Sequence, residues 1–499
     1  MNNNMDLFSE DIRTVGQALT RLIEADRESE KKKKARTGIA YYDGKHEILD
    51  YKIYYIDSNG RVQEEGNRSN IKIQHQFHTE LVDQKVQYLL GKPPLITVDD
   101  NEPFQKELDA YFKEEFHENL QDVLLGASNK GHEFIYGYKR NDGLMGFTVA
   151  DMLGVIEIYE EGSGNKRLAV IRYYKDIIAD KKGKPIEVTK AEIWTNKATT
   201  YYVKEGKTYE LDEAVDINPR PHILYDMEDG YYTDDTPMDI PFFKVQNNIG
   251  EKSDLEPIKT LIDDYDLMAC SLSNNLQDFQ EAIYVVKGFK GASLDELVQN
   301  LKTRKTIGVS EDGDLDIKTV EIPVDSRKMK LELDKEAIYK FGMGFDSTQV
   351  GDGNITNIVL KARYSLLELK ANKSEIRLKK ALRQIIKLVT EDINQRLGKS
   401  YDYNSVEIEF EREMMVNEDS LTANRKVEEE IKKQAIENVL MANMLSEETR
   451  LRLICEILEL DYDEEQAKID EYLDSMTMVP VTPPPLPPEE DDEEEDVID

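Results

Sequence analysis

Residues 253–283 read SDLEPIKTLIDDYDLMACSLSNNLQDFQEAI. Ile258, Leu261, Ile262, Tyr265, Met268, Leu272, Leu276, Phe279 and Ile283 recur at three- and four-residue spacing. That period predicts one helix over about 254–282 with a single apolar stripe. Ser253 and Glu256 have the spacing of a capping box, and Pro257 falls in the first turn, where it is tolerated. The opposite face carries Asp263, Asp266, Ser273, Asn274 and Gln277. Roughly 29 residues at 1.5 Å each span about 40 Å. A one-sided helix of that length packs against one surface only.

Downstream, Tyr284–Val286 predicts a short strand, Ser293 and Glu296 cap a helix to about 303, and Asp316–Ile322 predicts a second strand. Pro323 closes this compact insert. Residues 324–341 alternate like a strand at Met329, Leu331 and Leu333, and repeat like a helix at Leu333, Ala337, Ile338 and Phe341; helix is favoured. Residues 342–354, GMGFDSTQVGDGN, are a loop by composition. A long helix follows over 355–397, roughly 65 Å at 1.5 Å per residue, and Gly398 ends it. Residues 424–475 hold about three short acidic helices. Pro483–Pro488 is a linker, and 489–499, with nine acids in eleven residues, is expected to be disordered.

Upstream, Ile12, Val15, Leu19, Leu22 and Ile23 predict a helix over 8–34 that ends in the basic run Lys31–Lys34 with Arg36, as a solvated helix end. Residues 39–74 read as short strands with turns at Asp43-Gly44 and Asn59-Gly60. A helix over about 75–90 is stopped by Gly91-Lys92-Pro93-Pro94, and 103–131 is helical again. Residues 132–245 are a mostly antiparallel β region, with runs at Leu168–Tyr174, Ala191–Trp194 and Thr199–Val203. The fold class is α+β, mainly helical.

The chain has 499 residues, 39% of them hydrophobic, which predicts two to four packing units and an elongated shape. No apolar run is long enough for a transmembrane helix, and MNNNMDLFSEDI at the start has no secretory pattern. Cys270 and Cys455 read as buried core thiols and exclude a disulfide scaffold or a CxxC zinc site. No cofactor is expected. Gly206-Lys207-Thr208 fails as a phosphate loop because position 201 is Tyr201, and Gly342-x-Gly344 lacks a third glycine. His75 and His78 could share a helix face near Glu80 and Asp83, but two polar residues at a helix start explain them, so neither a metal site nor a catalytic residue is assigned. The chain is not read as an enzyme.

The formal net charge is −36, from 65 bases against 101 acids. A protein that grips DNA gains affinity from Lys and Arg on phosphates, and this balance excludes it. The excess is uneven. Residues 402–480 carry 22 acids and 8 bases, the tail 489–499 adds nine acids, 283–345 has 11 of each, and 355–397 has 10 bases against 4 acids.

Several segments occur in a telling order: YYDGKHEI at 41–48, NIKI at 70–73 with Phe77, VDQKVQYLLGKP at 82–93, IPFFKVQNN at 240–248, then Ser253-Asp-Leu, Ile258–Asp264 and Asn274-Asn275. This series resembles the portal proteins of tailed bacteriophages, of the siphophage type found with Gram-positive hosts, over roughly 38–475. The resemblance implies a portal-type subunit with wing, stem, clip and crown, forming a ring, typically of twelve, around a central tunnel. It implies a wing at 1–252, a stem helix at 253–282, a clip at 283–323, a second stem helix at 324–341, a tunnel loop at 342–354, a long helix at 355–398 and a crown at 402–478. Residues 479–499 form a Pro-rich, acidic tail outside it.

The stem would pack through Ile258, Leu261, Ile262, Tyr265, Met268, Leu272, Leu276 and Phe279. Tunnel-loop candidates are Gly342, Gly344, Gly351 and Gly353 for mobility, Gln349, Asn354 and Thr356 for contact, and Asp346 and Asp352 for repulsion. The clip, with Leu294, Leu297, Lys302 and Arg304, would dock the terminase large subunit and later a head-completion or adaptor protein. Implied partners are other copies of the chain, double-stranded DNA bound non-specifically, and scaffolding and capsid proteins, with no membrane. The implied place is the capsid portal vertex of the virion, and the host cytoplasm during assembly. Rival classes are another head–tail connector or adaptor, usually far shorter and without the long helix, and a carboxylate- or metal-dependent hydrolase.

Overall fold

The computed structural model describes residues 5–477, apart from 67, 100, 141, 161, 163–165, 180–183, 223, 228–229, 234–238, 279–282, 290–292, 294, 296–308, 319–321, 347–356, 413–417, 443 and 459–461. The chain divides into two compact units, 1–352 with 361–414, and 353–360 with 415–499. The fold is mixed α and β, and about half of it is helical.

The first unit opens with α1 (Ile12–Arg27) and α2 (Glu30–Tyr42). The single helix expected over 8–34 is broken, because Ser29 leaves the helical conformation and its hydroxyl accepts from the Lys32 amide at 3.3 Å. The basic run therefore starts a helix, where the macrodipole disfavours cations. Each lysine is answered within the chain. Lys31 pairs with Glu251, Lys33 with Glu30 at 3.5 Å, and Lys34 with Glu256 at 3.2 Å. Lys32 is buried and donates to Val155 O at 3.1 Å. Because α2 continues to Tyr42, Asp43-Gly44 stops a helix and does not turn between strands; Gly44 has φ +72°.

A hairpin follows, β1 (Tyr54–Ile56) against β2 (Val62–Glu64), and then an extended strap over 68–76. Next come α3 (Phe77–Leu90), β3 (Leu95–Val98), α4 (Glu102–Asp109) and α5 (Glu114–Lys130), the last two replacing the one helical stretch expected over 103–131.

The β region is antiparallel throughout its described pairings. Its strands are β4 (His132–Lys139), β5 (Met145–Ala150), β6 (Val155–Tyr159), β7 (Arg167–Ala179), β8 (Pro185–Trp194), β9 (Ala198–Glu205), β10 (Thr208–Leu211), β11 (Arg220–Pro221), β12 (Leu224–Met227), β13 (Gly230–Thr233) and β14 (Phe242–Gln246). One sheet runs β10-β9-β8-β7-β6 with β11 beside β9, another runs β14-β4-β5, and β12 pairs β13. Val15, Leu19 and Ile23 of α1 pack onto Ile171, Ile193 and Tyr209 of the larger sheet. A Cβ at Gly16 would sit 2.0 Å from Tyr209 O, so only glycine lets α1 lie this close.

Then come α6 (Lys259–Asp278), β15 (Ile283–Phe289), β16 (Val309–Lys318) and α7 (Val324–Gly342), the helical alternative for 324–341. β15 pairs antiparallel with β16. The strand expected at 316–322 starts earlier, at Val309, and 319–321 lie outside the described residues. The long helix is α8 (Asn357–Leu397), and β17 (Val406–Glu409) pairs with β3. The largest core joins Val82, Val86 and Leu89 of α3 and Leu120, Val123 and Leu124 of α5 to Leu378, Leu382, Ile385, Val389 and Ile393 of α8.

The second unit contains α9 (Glu418–Met441), α10 (Glu447–Leu458) and α11 (Tyr462–Thr477). Cys270 of the first unit and Cys455 of the second are both free and buried.

Candidate functional site

Helix α6 starts later than its sequence suggests. The capping box is not made: 254–258 are turns, and Glu256 is engaged elsewhere. The Asp254 amide donates to Ser128 O at 2.8 Å, which holds 253–254 against α5. Residues 254–258 form turns, and the Lys259 amide then donates to Leu255 O at 2.8 Å. The Glu256 carboxylate pairs with Lys34.

Asp254 is the centre of a buried polar hub. It accepts from Lys85 Nζ at 3.0 Å and from Asn247 Nδ2 at 2.8 Å, and it pairs with Lys370 Nζ at 3.1 Å. Lys85 is wholly buried and also donates to Asn247 Oδ1 at 2.5 Å. The two lysines hold the Asp254 carboxyl well below the usual carboxylate range. Lys85 shares that one carboxylate with Lys370, so its desolvation is not repaid and burial pushes it down to about 8. His78, buried beside them, is pushed down to about 4 by burial.

The hub is built from three of the singled-out segments: Lys85 lies in 82–93, Asn247 in 240–248 and Asp254 in 253–255. One signal could have found it. Lys85 sits among Val82, Val86 and Leu89 on one apolar helix face, and a lysine there requires a partner.

The hub fixes the root of the segment that joins α7 to α8. Lys370 Nζ donates to Gly342 O at 2.9 Å, a cation on the carbonyl end of α7. Met343, at φ +56°, caps that end. Gln84 clamps Phe345 from both sides, accepting from its amide at 3.2 Å and donating to its carbonyl at 2.9 Å. The Phe345 ring lies 4.6 Å from that of Tyr364.

Two expectations change here. A Cβ on Gly342 would lie 2.5 Å from Leu81 Cδ1, and one on Gly344 2.2 Å from Leu81 Cδ2. These glycines serve close packing in place of the mobility expected of them. Asp346, expected to offer a repulsive charge, is buried and pairs with Lys335 at 2.7 Å. Gln349, Gly351, Asp352, Gly353, Asn354 and Thr356 lie outside the described residues, as do Leu294, Leu297, Lys302 and Arg304.

The apolar stripe of α6 fades along its length. Ile258 and Ile262 are buried with Tyr41, Phe77, Leu81, Ile338 and Tyr339, and Leu261 and Tyr265 pack partly against them. Met268 and Leu272 are half-buried, Leu276 is exposed, and Phe279 lies outside the described residues.

The polar face of α6 is partly covered by the strap. Asp266 Oδ1 accepts from the His75 amide at 3.0 Å, and Cys270 Sγ from the Ile73 amide at 3.2 Å. Asn274 Oδ1 accepts from the Ile71 amide at 2.7 Å, and Asp278 Oδ1 from the Ser69 amide at 3.1 Å. Two extended residues advance about 6.6 Å and four helical residues about 6.0 Å, so the alternate amides of an antiparallel strap match every fourth side chain of a helix. Asp266 is buried and also meets His46 Nδ1 at 2.7 Å and His75 Nδ1 at 2.8 Å.

Among the described residues, no group of three or more His, Cys, Asp or Glu is placed to hold a metal ion, and no helix is long and apolar enough to cross a membrane. The charges of the centre pin two helix ends and the start of the segment between them.

The residues of the hub and the strap fall inside a family match. The model described as phage portal protein, SPP1 Gp6-like, matches residues 23–470, and the chain belongs to this family. The portal protein of Bacillus phage SPP1 is 31% identical over 351 residues, covering 69% of this chain and 67% of that protein. The portal protein of Clostridium phage phiCD119 is 28% identical over 399 residues, covering 75% of this chain and 84% of that one. A solved structure of the neck of an empty GTA particle covers 78% of this chain and 90% of its own, at 12% identity and a TM-score of 0.37.

Proposed function

We propose that copies of this chain, typically twelve, close into a ring at one capsid vertex and form the channel through which double-stranded DNA enters during packaging and leaves at ejection. Membership of the portal family supports this. The observation that carries it within the molecule is the anchored root. Helices α6 and α7 run as an antiparallel pair, and the segment beyond Gly342 leaves them from a fixed base made by Lys370, Gln84 and Lys335.

The wing is then 1–252, the stem 253–282 and 324–341, and the clip 283–323. The tunnel loop is 342–354, the long helix 355–398 and the crown 402–478, with an acidic tail at 479–499. Gln349, Asn354 and Thr356 touch DNA, while Asp352 repels it. Neutral and acidic surfaces let DNA slide, because few cations are available to release counterions and hold it. The clip, through Leu294, Leu297, Lys302 and Arg304, docks the terminase large subunit and then the head-completion protein. The chain itself is assigned no reaction. It works in the virion at the portal vertex and assembles in the host cytoplasm with scaffolding and capsid proteins.

The test deletes 347–352, which spares the anchored Phe345 and Asp346. Rings of normal mass by light scattering and negative-stain imaging, with DNA packaging reduced, are expected. Normal packaging in that variant overturns the tunnel-loop assignment. A wild-type chain that never forms a ring overturns the channel.

A further inference from the structure

A cleft of about 890 Å³ lies between α8 and the strands β6 and β14. Six bases and three acids line it, in a chain whose net charge is −36. The three acids are already engaged. Glu157 takes Lys244 at 2.8 Å and Arg167 at 3.6 Å, Glu251 takes Lys244 at 2.6 Å, and Asp239 takes Lys387 at 2.8 Å. Arg167 also donates to the carbonyls of Ile240 and Phe242, both at 2.7 Å. The charges of the sheet wall therefore answer one another.

The α8 wall differs. Arg377, Lys380, Gln384 and Lys387 follow at steps of three, four and three residues, so they form a row on one helix face about 15 Å long. Among the described residues, neither Arg377 nor Lys380 has an ion pair or hydrogen bond. Arg377 is half-buried, so its guanidinium has lost part of its hydration and gained no partner in return. The cleft thus holds unanswered positive charge. A volume of about 890 Å³ is a cube roughly 10 Å on a side, whereas the major groove of a duplex alone is about 12 Å wide, so a duplex does not enter it. The size suits a short segment of chain.

We propose that the acidic segment 489–499 of this protein docks in the cleft along the α8 row. The segment reads EEDDEEEDVID, nine acids and no base, and lies outside the described residues. Laid out extended, its same-side carboxylates would repeat at about 6.6 Å, against about 4.5–6.0 Å for helical steps of three and four residues. About five residues of it cover the row. Residues 355–397 carry ten bases against four acids, and the docked segment takes part of that charge away from phosphates. The docking does not depend on the ring proposed above.

The test measures binding of a labelled peptide of sequence 489–499 by fluorescence anisotropy. A chain ending at 488 is expected to bind it saturably, and the full chain about tenfold more weakly, because its own segment competes. Arg377→Ser with Lys380→Ser in the shortened chain is expected to weaken binding about tenfold with an unchanged circular dichroism spectrum. Lys33→Ser with Lys175→Ser, on exposed residues outside the cleft, is expected to leave it unchanged. In the full chain, zero-length carbodiimide coupling is expected to join Lys380 to an acid of 489–499. Absence of peptide binding, or equal weakening by both pairs of substitutions, overturns the docking. So does coupling of Lys380 only to acids outside 489–499. Duplex DNA held at Arg377 and Lys380 with the peptide unbound assigns the cleft to nucleic acid and overturns it as well.

Discussion

Asp254 and Asp266 are both buried, twelve residues apart, and their partners are of different kinds. Asp254 faces two lysine ammonium groups and an amide, in a hub drawn from α3, α8 and the loops around β14 and α6. Asp266 faces two histidines and one backbone amide, and serves a strap whose amides bond four side chains of α6. The first arrangement commits charged groups to the interior, where losing one partner strands another. The second gathers imidazole rings and a backbone amide around one carboxylate. The hub therefore fixes the joints between elements, while the strap runs along one helix.

Breaking the hub should give the largest effect. Asp254→Ala leaves Lys85 buried without its counter-charge and should cost about 3–5 kcal/mol of stability, measured by urea unfolding. A loss near that of an exposed ion pair, at or below about 1 kcal/mol, would sink the distinction between the two nodes.

Acid should act next, through His78. The folded chain keeps this group neutral down to about 4, while the unfolded chain protonates it below its ordinary 6.5. Its contribution is therefore whole above 6.5 and lost as pH falls toward 4, by about 1.4 kcal/mol per pH unit. His78→Gln should flatten the stability profile in that window by this slope, and identical wild-type and variant profiles would refute it.

Gly344→Ala places a Cβ against Leu81 and should cost about 1–3 kcal/mol. The loss should couple to Leu81→Val in a double-mutant cycle, whereas simple additivity would mean that the root is not tightly packed. The smallest effect is expected from the strap. Asn274→Ala removes one acceptor and should cost about 0.5–1.5 kcal/mol, with faster hydrogen exchange at the Ile71 amide than at Ile73. Uniform exchange along 69–75 would show that the strap opens as one piece.

Much of this was legible in the sequence. The period of α6, the helix at 324–342, the long α8 and the antiparallel strands all follow from local pattern. The segments at 82–93 and 240–255 pointed to a family, and the hub supplies their physical reason. What stayed hidden was of two kinds. The pairing of β3 with β17 joins 95–98 to 406–409, and no local period names a partner so far along the chain. The other kind was competition for a side chain. Ser253 and Glu256 have capping-box spacing, but Ser128, Lys85, Lys370 and Lys34 make stronger claims on that stretch. The glycines at 342 and 344 were similarly ambiguous, since composition alone does not tell a mobile glycine from one that a neighbour presses on.

The strap has a mechanical consequence. Its four bonds are spaced along the axis of α6 and point across it. Force applied along that axis loads all four in parallel, so the contact resists sliding. Force that lifts the strap at Ser69 loads them one after another, so the same contact peels. α6 is thus held stiffly against being pushed lengthwise and softly against being uncovered from its far end.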